Sequence, residues 1–128
     1  MTLDRPAFQA WLDRYIAAWR SNDPADVADL FAEHARHRHR PTDQPMLGRA
    51  AIVADWTSDP DDPASWEAHY EALAIDGEIH VASGESPYLD ATGAPEVLYA
   101  NVFVCRFDAD DRCTDFTEWW TLGRAVDA

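Results

Sequence analysis

The sequence predicts one α+β domain over residues 1–128, in which an antiparallel sheet wraps onto an N-terminal helix. Helical spacing of apolar residues dominates the first part of the chain, and strand-like alternation dominates the rest. The composition supports a real core, because 47% of the 128 residues are hydrophobic and six are Trp. A chain of this length can bury such a core without disulfide or metal staples.

The first predicted helix runs from about Arg5 to Ser21. Apolar residues recur there at three- and four-residue spacing and form one broad stripe: Phe8, Trp11, Leu12, Tyr15, Ile16 and Trp19. Asp4 is placed to cap the helix, and Pro6 is tolerated in its first turn. This stripe is expected to face the sheet.

A second helix is predicted after the Ser21–Pro24 break, with Asp23 as its N-cap and Pro24 at its first position. Its buried face would carry Val27, Leu30 and Phe31, and it would end near His34, a cap or surface residue. The two helices would form a hairpin.

A third, short helix is predicted over Arg49–Trp56, after the breaker Gly48, and Thr57–Ala64 is a polar loop. Five segments have strand character and are separated by turn residues: Arg36–Arg40, Trp66–Ile75, Glu78–Tyr88, Val97–Phe107 and Arg112–Leu122. The predicted order is α-α-β-α-β-β-β-β, with no repeat or linker. The far face of the sheet is expected to be solvated or paired with a second subunit.

The net charge of the chain limits the kinds of molecule that it is expected to bind. Twenty-four acidic residues against ten basic ones give a formal net charge of −14. Such a chain repels phosphate backbones and anionic lipid, so nucleic acid and membrane surfaces are not expected partners. A neutral or cationic small molecule is the expected ligand.

No apolar stretch approaches the length of a membrane span, and Met1–Pro6 lacks the order of a signal peptide, so a cytoplasmic location is expected. Cys105 and Cys113 fall on the two arms of one predicted hairpin and form neither a disulfide framework nor a zinc spacing. They are interpreted as reduced packing residues.

The segment Arg36–Pro41 is the first candidate for chemistry. Alternation along a strand separates its arginines from His37 and His39. Neutral imidazole enters a pocket more readily than a guanidinium, so the histidines are expected to point inward, about 7 Å apart. Two alternatives stay open: a solvated edge strand, or a metal site that uses both histidines.

The second candidate is Glu118, which shares a strand face with Phe116 and Trp120. If that face is the inner one, desolvation would raise the pKa of the Glu118 carboxyl toward the range of a proton shuttle near neutral pH. Alternation equally allows Thr117 and Trp119 to face inward, with Glu118 on the surface. The period of the strand does not decide between them.

Two neighbouring strands add candidates. One face of the preceding strand suits a pocket wall and carries Tyr99, Asn101, Phe103 and Cys105. Its other face is apolar and suits a packed interface, with Leu98, Ala100, Val102 and Val104. Ser83 and Glu85 share a face with Ile79 and Val81, so Glu85 is either a second inward acid or an exposed strand-end acid.

Signatures of nucleotide binding, of a serine nucleophile and of a cysteine nucleophile are missing from the sequence. There is no Gly-rich phosphate loop, no Gly-x-Ser-x-Gly elbow and no Cys in a histidine motif. We therefore predict no cofactor.

Several segments resemble the SnoaL-like branch of the nuclear transport factor 2-like superfamily. The likeness covers nearly the whole chain and is carried by Tyr15-Ile16-Ala17-Ala18-Trp19, Asn22-Asp23-Pro24, Leu30-Phe31-Ala32-Glu33, Gly48-Arg49-Ala50-Ala51-Ile52 and Phe116-Thr117-Glu118-Trp119-Trp120. This resemblance implies a cone-shaped α+β barrel, with three N-terminal helices in the concave face of a strongly curved, mainly antiparallel sheet. It also implies a pocket that is usually metal-free, in a protein that is often a homodimer.

Within this superfamily, which includes polyketide cyclases and ketosteroid isomerase, the limonene epoxide hydrolase branch aligns its site with residues of this chain. His37 and His39 match positions that hold the attacking water, and Glu118 and Glu85 match the two carboxylates. Ser83 stands where that branch has arginine, which argues against epoxide hydrolysis. The likeness supports the inward assignment of His37, His39 and Glu118.

The leading hypothesis is a cofactor-independent acid–base enzyme, such as an isomerase, cyclase, dehydratase or hydrolase, that acts on a small apolar molecule. The alternative is a binding domain without chemistry. The candidate catalytic residues are His37, His39, Glu118 and Glu85. The candidate substrate-binding residues are Tyr15, Trp19, Trp56, Ser83, Tyr99, Asn101, Phe103, Phe116 and Trp120. A homodimer through the outer face of the sheet is expected.

Overall fold

The helices and strands follow one another as the sequence predicts, with two additions. A computed structural model describes residues 2–125; Met1 and residues 126–128 of the predicted domain lie outside the described range. The helices are α1 (Arg5–Ser21), α2 (Pro24–Ala28) and α3 (Arg49–Ser58), and a 3-10 turn covers Pro63–Ser65. The strands are β1 (Phe31–Arg38), β2 (Met46–Leu47), β3 (His69–Asp76), β4 (Ile79–Leu89), β5 (Pro95–Phe107) and β6 (Cys113–Ala125).

The six strands form one mixed sheet in the order β2-β1-β6-β5-β4-β3. Every neighbouring pair is antiparallel except β1 and β6, which run parallel, so that His37 lies beside Phe116. The predicted class, α+β with three helices against a mainly antiparallel sheet, is confirmed for the described residues. The parallel pair is the feature that brings an early strand next to a late one.

Helix α1 has the predicted bounds and carries the centre of the core. The side chain of Asp4 accepts a hydrogen bond from the Ala7 backbone N–H at 2.9 Å, as an N-cap should. Trp11 is fully buried, and its indole N–H donates to the Leu30 carbonyl at 3.1 Å. The helix therefore packs its aromatic stripe against the sheet, and the indole N–H of Trp11 is satisfied.

The free edge of the sheet at β3 is covered by side chains of α1. The Gln9 side chain donates to the Tyr70 carbonyl at 2.9 Å and accepts from the Ala72 N–H at 3.0 Å. Arg5 donates to the Ala72 carbonyl. These bonds satisfy backbone groups that an edge strand would otherwise present to another chain.

The second helix is shorter than predicted, because it ends at Ala28 and the chain enters β1 at Phe31. The Cys113 N–H donates to the Leu30 carbonyl at 2.8 Å, and Phe31 pairs with Cys113 in β6. This pairing draws Leu30 and Phe31 into the sheet. His34, expected at a helix end, is an exposed residue of β1.

The two cysteines are free and buried, in agreement with a packing role. The Cys113 thiol donates to the Asp115 carbonyl at 3.3 Å. Among residues 2–125, no helix is long and apolar enough to cross a bilayer.

Candidate functional site

A cavity of about 320 Å³ opens between the helices and the inner face of the sheet. Its wall contains nine of the residues singled out in the sequence: His37, His39, Glu118, Tyr15, Trp19, Trp56, Tyr99, Asn101 and Trp120. Tyr15 and Trp19 come from α1, Trp56 comes from α3, and the others come from β1 or its end and from the central strands. The structure therefore brings most of the predicted site together.

Four predicted site residues lie elsewhere. Phe103 and Phe116 do not line the cavity, because they are fully buried in the core, where their ring centroids lie 4.9 Å apart and both contact Tyr15. Ser83 and Glu85 lie in a depression on the other face of the sheet, together with Val102 and Trp119. The interpretation of Glu85 as an inward acid is therefore corrected, as is the placement of Ser83.

Strand β4 has the opposite orientation to the one expected from its apolar residues. Its inward residues include His80, Ala82 and Ser86, which are buried, while Ile79 is 37% exposed. The burial of His80 leaves neither ring nitrogen unpaired. Its Nε2 accepts a hydrogen bond from the Leu3 N–H at 2.9 Å, and its Nδ1 lies 3.0 Å from the Glu78 carbonyl oxygen. His80, whose ring nitrogens are hydrogen-bonded, therefore lies on the inner face of β4, and the aliphatic Ile79 lies on the outer face.

His37 is held against the core with its ring nitrogens unpaired. Its ring stacks on Phe116 with a centroid distance of 4.6 Å, and the residue is only 2% exposed. Neither ring nitrogen has a hydrogen-bond partner among the described residues. Burial, and to a lesser extent nearby His39, lower the pKa of His37 to about 3, and Asp55 partly opposes the shift. His37 is therefore a neutral imidazole that can both donate and accept a hydrogen bond.

His39 lies beside His37 but is open to solvent. The two ring centroids are 4.7 Å apart, closer than the backbone spacing predicted, because both rings turn toward the cavity. His39 Nε2 lies 3.0 Å from Asp55 Oδ2, and both side chains are about half exposed. An exposed pair of this kind adds little stability, so its main effect is to orient the His39 ring at the rim of the cavity.

Glu118 faces inward, which settles the orientation that alternation left open. Its partner across the ladder is Phe103, and the Asn101 side-chain amide donates to Glu118 Oε2 at 2.6 Å. Burial raises the pKa of the Glu118 carboxyl, while the Asn101 hydrogen bond and the nearby His39 partly oppose the shift. A carboxyl group in this position is a stronger base than one in water.

The amide of Asn101 is fixed by a chain of hydroxyl groups. Ser86 Oγ donates to Asn101 Oδ1 at 2.8 Å, and Tyr70 Oη lies 2.5 Å from Ser86 Oγ. Because serine has one hydroxyl hydrogen, which goes to Asn101, the Tyr70 hydroxyl must donate to Ser86. This series of hydrogen bonds occupies Asn101 Oδ1, so the NH₂ group is the part of the amide that faces Glu118. Sequence reasoning missed Tyr70 and Ser86, because the cross-strand register that joins them is not visible in a sequence.

Acidic residues at the cavity mouth were also missed. Asp55, Asp59 and Asp61 are exposed residues that line the cavity on and just after α3. Asp61 Oδ2 accepts from the Tyr88 hydroxyl at 3.0 Å and lies 3.3 Å from the Trp19 indole nitrogen. For Asp59 and Asp61 the available signal was the Thr57–Ala64 loop, which the sequence shows as polar but does not place; Asp55 lies in the predicted third helix.

The lowered pKa of His37 has a measurable effect on stability. In the unfolded state His37 binds a proton near pH 6.5, and in the folded state it does so only near pH 3. The free energy of unfolding must therefore fall as the pH is lowered through this window. Between pH 7 and pH 5 this group alone should remove about 2 kcal/mol. We expect His37→Phe, which preserves the stacking on Phe116, to reduce the loss by that amount in urea titrations.

A matched control for this experiment is His69→Gln. The His69 side chain is 78% exposed, so this variant removes a histidine outside the core, and the loss of stability between pH 7 and pH 5 should persist. The same acid dependence in His37→Phe and in the parent protein would show that His37 ionises normally in the folded state.

The described residues contain no group of three or more His, Cys, Asp or Glu side chains arranged to hold a metal ion.

Comparison with known proteins agrees with this architecture. A family model described as the SnoaL-like domain matches residues 12–116. A solved structure described as a "putative ketosteroid isomerase" from Kribbella flavida has a TM-score of 0.70 and 18% identity, covering 98% of this chain and 85% of that one. An NTF-2 like protein of unknown function from Burkholderia xenovorans has a TM-score of 0.67 and 15% identity, covering 96% and 88%. A search of curated proteins finds no match.

Proposed function

From the premise that this chain belongs to the SnoaL-like domain family, with the nuclear transport factor 2-like fold, we propose that it is a cofactor-independent acid–base enzyme of the isomerase type. Its substrate would be a small, largely apolar organic molecule. The observation that carries this proposal is that a carboxyl group with a raised pKa and a neutral, unpaired histidine line the same aromatic cavity.

Glu118 is proposed as the base. In the ionised form it would take a proton from a carbon next to the substrate carbonyl and return it at another carbon, so that the double bond moves and no atoms are gained or lost. Its raised pKa makes it a better match for a weakly acidic C–H group than a carboxylate in water. The Asn101 amide would keep the carboxylate in place between the two transfers.

His37 is proposed as the group that binds the carbonyl oxygen. As a neutral imidazole it can donate its N–H to the oxygen as negative charge develops there. Because no described residue competes for that hydrogen, the donor is available to the substrate. The stacking on Phe116 fixes the ring, so little reorganisation is needed during the reaction.

The test is solvent exchange in D₂O with a panel of cyclic β,γ-unsaturated ketones, followed by NMR. The proposal predicts formation of the conjugated isomer, with deuterium at the γ-carbon wherever the proton held by Glu118 exchanges with D₂O before it is returned. Both results should depend on Glu118. Ligands that bind in the cavity without any exchange would favour the alternative of a binding domain.

We also propose that the protein is a cytoplasmic homodimer that pairs through the outer face of the sheet. Val102 and Trp119 are cross-strand partners on that face, 36% and 44% exposed. Exposed aromatic and aliphatic side chains of this kind are typical of subunit contacts. Sedimentation equilibrium should give twice the chain mass, and Trp119→Glu should give the monomer; a monomeric parent protein would contradict the proposal.

A further inference from the structure

The charged side chains that line the cavity are all acidic, apart from the two histidines. Carboxylates come from Asp55, Asp59, Asp61 and Glu118, and no Arg is present among the described residues of the wall. The sequence contains no Lys. A cavity with this lining attracts cations and repels carboxylates and phosphates.

The aspartates of the cavity wall and several of its aromatic rings differ in exposure. Asp55, Asp59 and Asp61 are exposed at the mouth, where α3 ends at Ser58 with Asp59 as its C-cap. The carboxyl end of a helix carries partial negative charge, which adds to that of the three side chains. The less exposed part of the wall is aromatic and includes Tyr70, which is 7% exposed, and Trp56.

Ring faces at this site already accept a cation from the protein itself. The guanidinium carbon of Arg40, an exposed residue, lies 4.7 Å from the centroid of the Trp120 ring. This distance is within the range of a cation–π contact. A protonated amine can make the same kind of contact with the other rings of the wall.

His37 is the independent sign that a ligand completes the cavity. It is 2% exposed, lines the wall, and has no partner for either ring nitrogen among the described residues. An uncharged imidazole does not repel a cationic ligand, and the cost of an unpaired buried polar group is removed when a ligand binds it. The unpaired His37 and the acidic mouth of the cavity are therefore both explained by a single bound ligand.

We infer that the ligand of this cavity is a small molecule with a protonated amine and an apolar ring, whose ammonium group lies at the mouth among Asp55, Asp59 and Asp61. The ring fills the aromatic part of the wall and carries the carbonyl group that, under the proposed function, accepts the hydrogen bond of His37. The inference rests on the proposed function, since it names the class of substrate for the same site.

The test uses three probes of one shape that differ in charge: phenethylamine, 2-phenylethanol and phenylacetate. Isothermal titration at pH 7 and low salt should show the amine binding about tenfold more tightly than the alcohol, with phenylacetate weakest. The triple variant D55N/D59N/D61N should lose the preference for the amine and keep its affinity for the alcohol.

The matched control is D76N/E96Q/D110N, which makes the same change in net charge at exposed residues outside the cavity wall. It should retain the preference for the amine. The inference is overturned if the parent protein fails to bind the amine, if the alcohol or phenylacetate binds as tightly, or if both triple variants behave alike.

This experiment can fail independently of the proposed function. Exchange of ketone protons that depends on Glu118, without any preference for the amine, would support the acid–base enzyme and reject the ligand class. A preference for the amine that is lost only in D55N/D59N/D61N, without exchange in any ketone at saturating concentration, would support the ligand class and reject the enzyme.

Discussion

Glu118→Gln is expected to slow proton transfer about a thousandfold and to leave the fold intact. The amide side chain has nearly the size of the carboxylate, and its oxygen can still accept the 2.6 Å hydrogen bond from Asn101. It cannot take up a proton at neutral pH. The exchange rate of a ketone substrate in D₂O, measured for the parent protein and the variant, gives the effect directly.

The stability of this variant provides a second readout. Burial raises the pKa of Glu118, so the ionised side chain is stabilised less in the folded state than in the unfolded state at neutral pH. Removing the charge should therefore give a melting temperature at or above that of the parent. In the parent, exchange should rise with pH as Glu118 ionises, above the usual range of a glutamate.

Glu85→Gln is the matched control for Glu118→Gln. Glu85 is an exposed glutamate on the opposite face of the sheet, so the exchange rate should not change. A parent-like rate in Glu118→Gln would remove Glu118 from the mechanism.

Gly84→Ala is expected to destabilise the fold by about 3 kcal/mol. Gly84 is the cross-strand partner of Tyr70, and the Tyr70 side chain occupies the space next to it. A methyl group at this position would overlap the His69 carbonyl oxygen and lie 2.8 Å from Tyr70 Cα. Because two of these contacts are with backbone atoms, the strands must move apart. Urea unfolding at neutral pH measures the loss.

The neighbouring Ser83→Ala is the control for Gly84→Ala. Ser83 points to the other face of the same strand, and its truncation should change the free energy of unfolding by less than about 0.5 kcal/mol. Equal stability of Gly84→Ala and the parent protein would mean that β3 and β4 are not packed as closely as described.

The sequence predicts most of the fold because local signals and tertiary packing agree in most segments. The bounds of α1 are correct, since its cap and its aromatic stripe both favour the same helix. The predicted end of α2 is wrong, because the apolar residues Leu30 and Phe31 fit a helix or a strand equally well. The hydrogen bond from Cys113 to the Leu30 carbonyl favours the strand. Strand β2 has two residues and no period to detect.

The candidate site is only partly predictable for a physical reason. Alternation divides a strand into two faces but does not say which one is buried, so Glu118 needed a family resemblance for its orientation. For Glu85 the same resemblance and the apolar pattern of β4 pointed the wrong way, because a hydrogen-bonded His80 takes the inner face. Ser86 and Tyr70 meet only through strand pairing.

The parallel pairing of β1 with β6 also determines when the cavity can form. Contacts such as His37 with Phe116 close a long loop, and loops of this size form late and slow the folding of a domain. The helices and the β3–β4 hairpin can form from local contacts before that step. During synthesis, therefore, a growing chain that ends before β6 contains His37 but lacks Phe116, on which the His37 ring stacks. The cavity is complete only when β6, which supplies Glu118 and Trp120, joins the sheet.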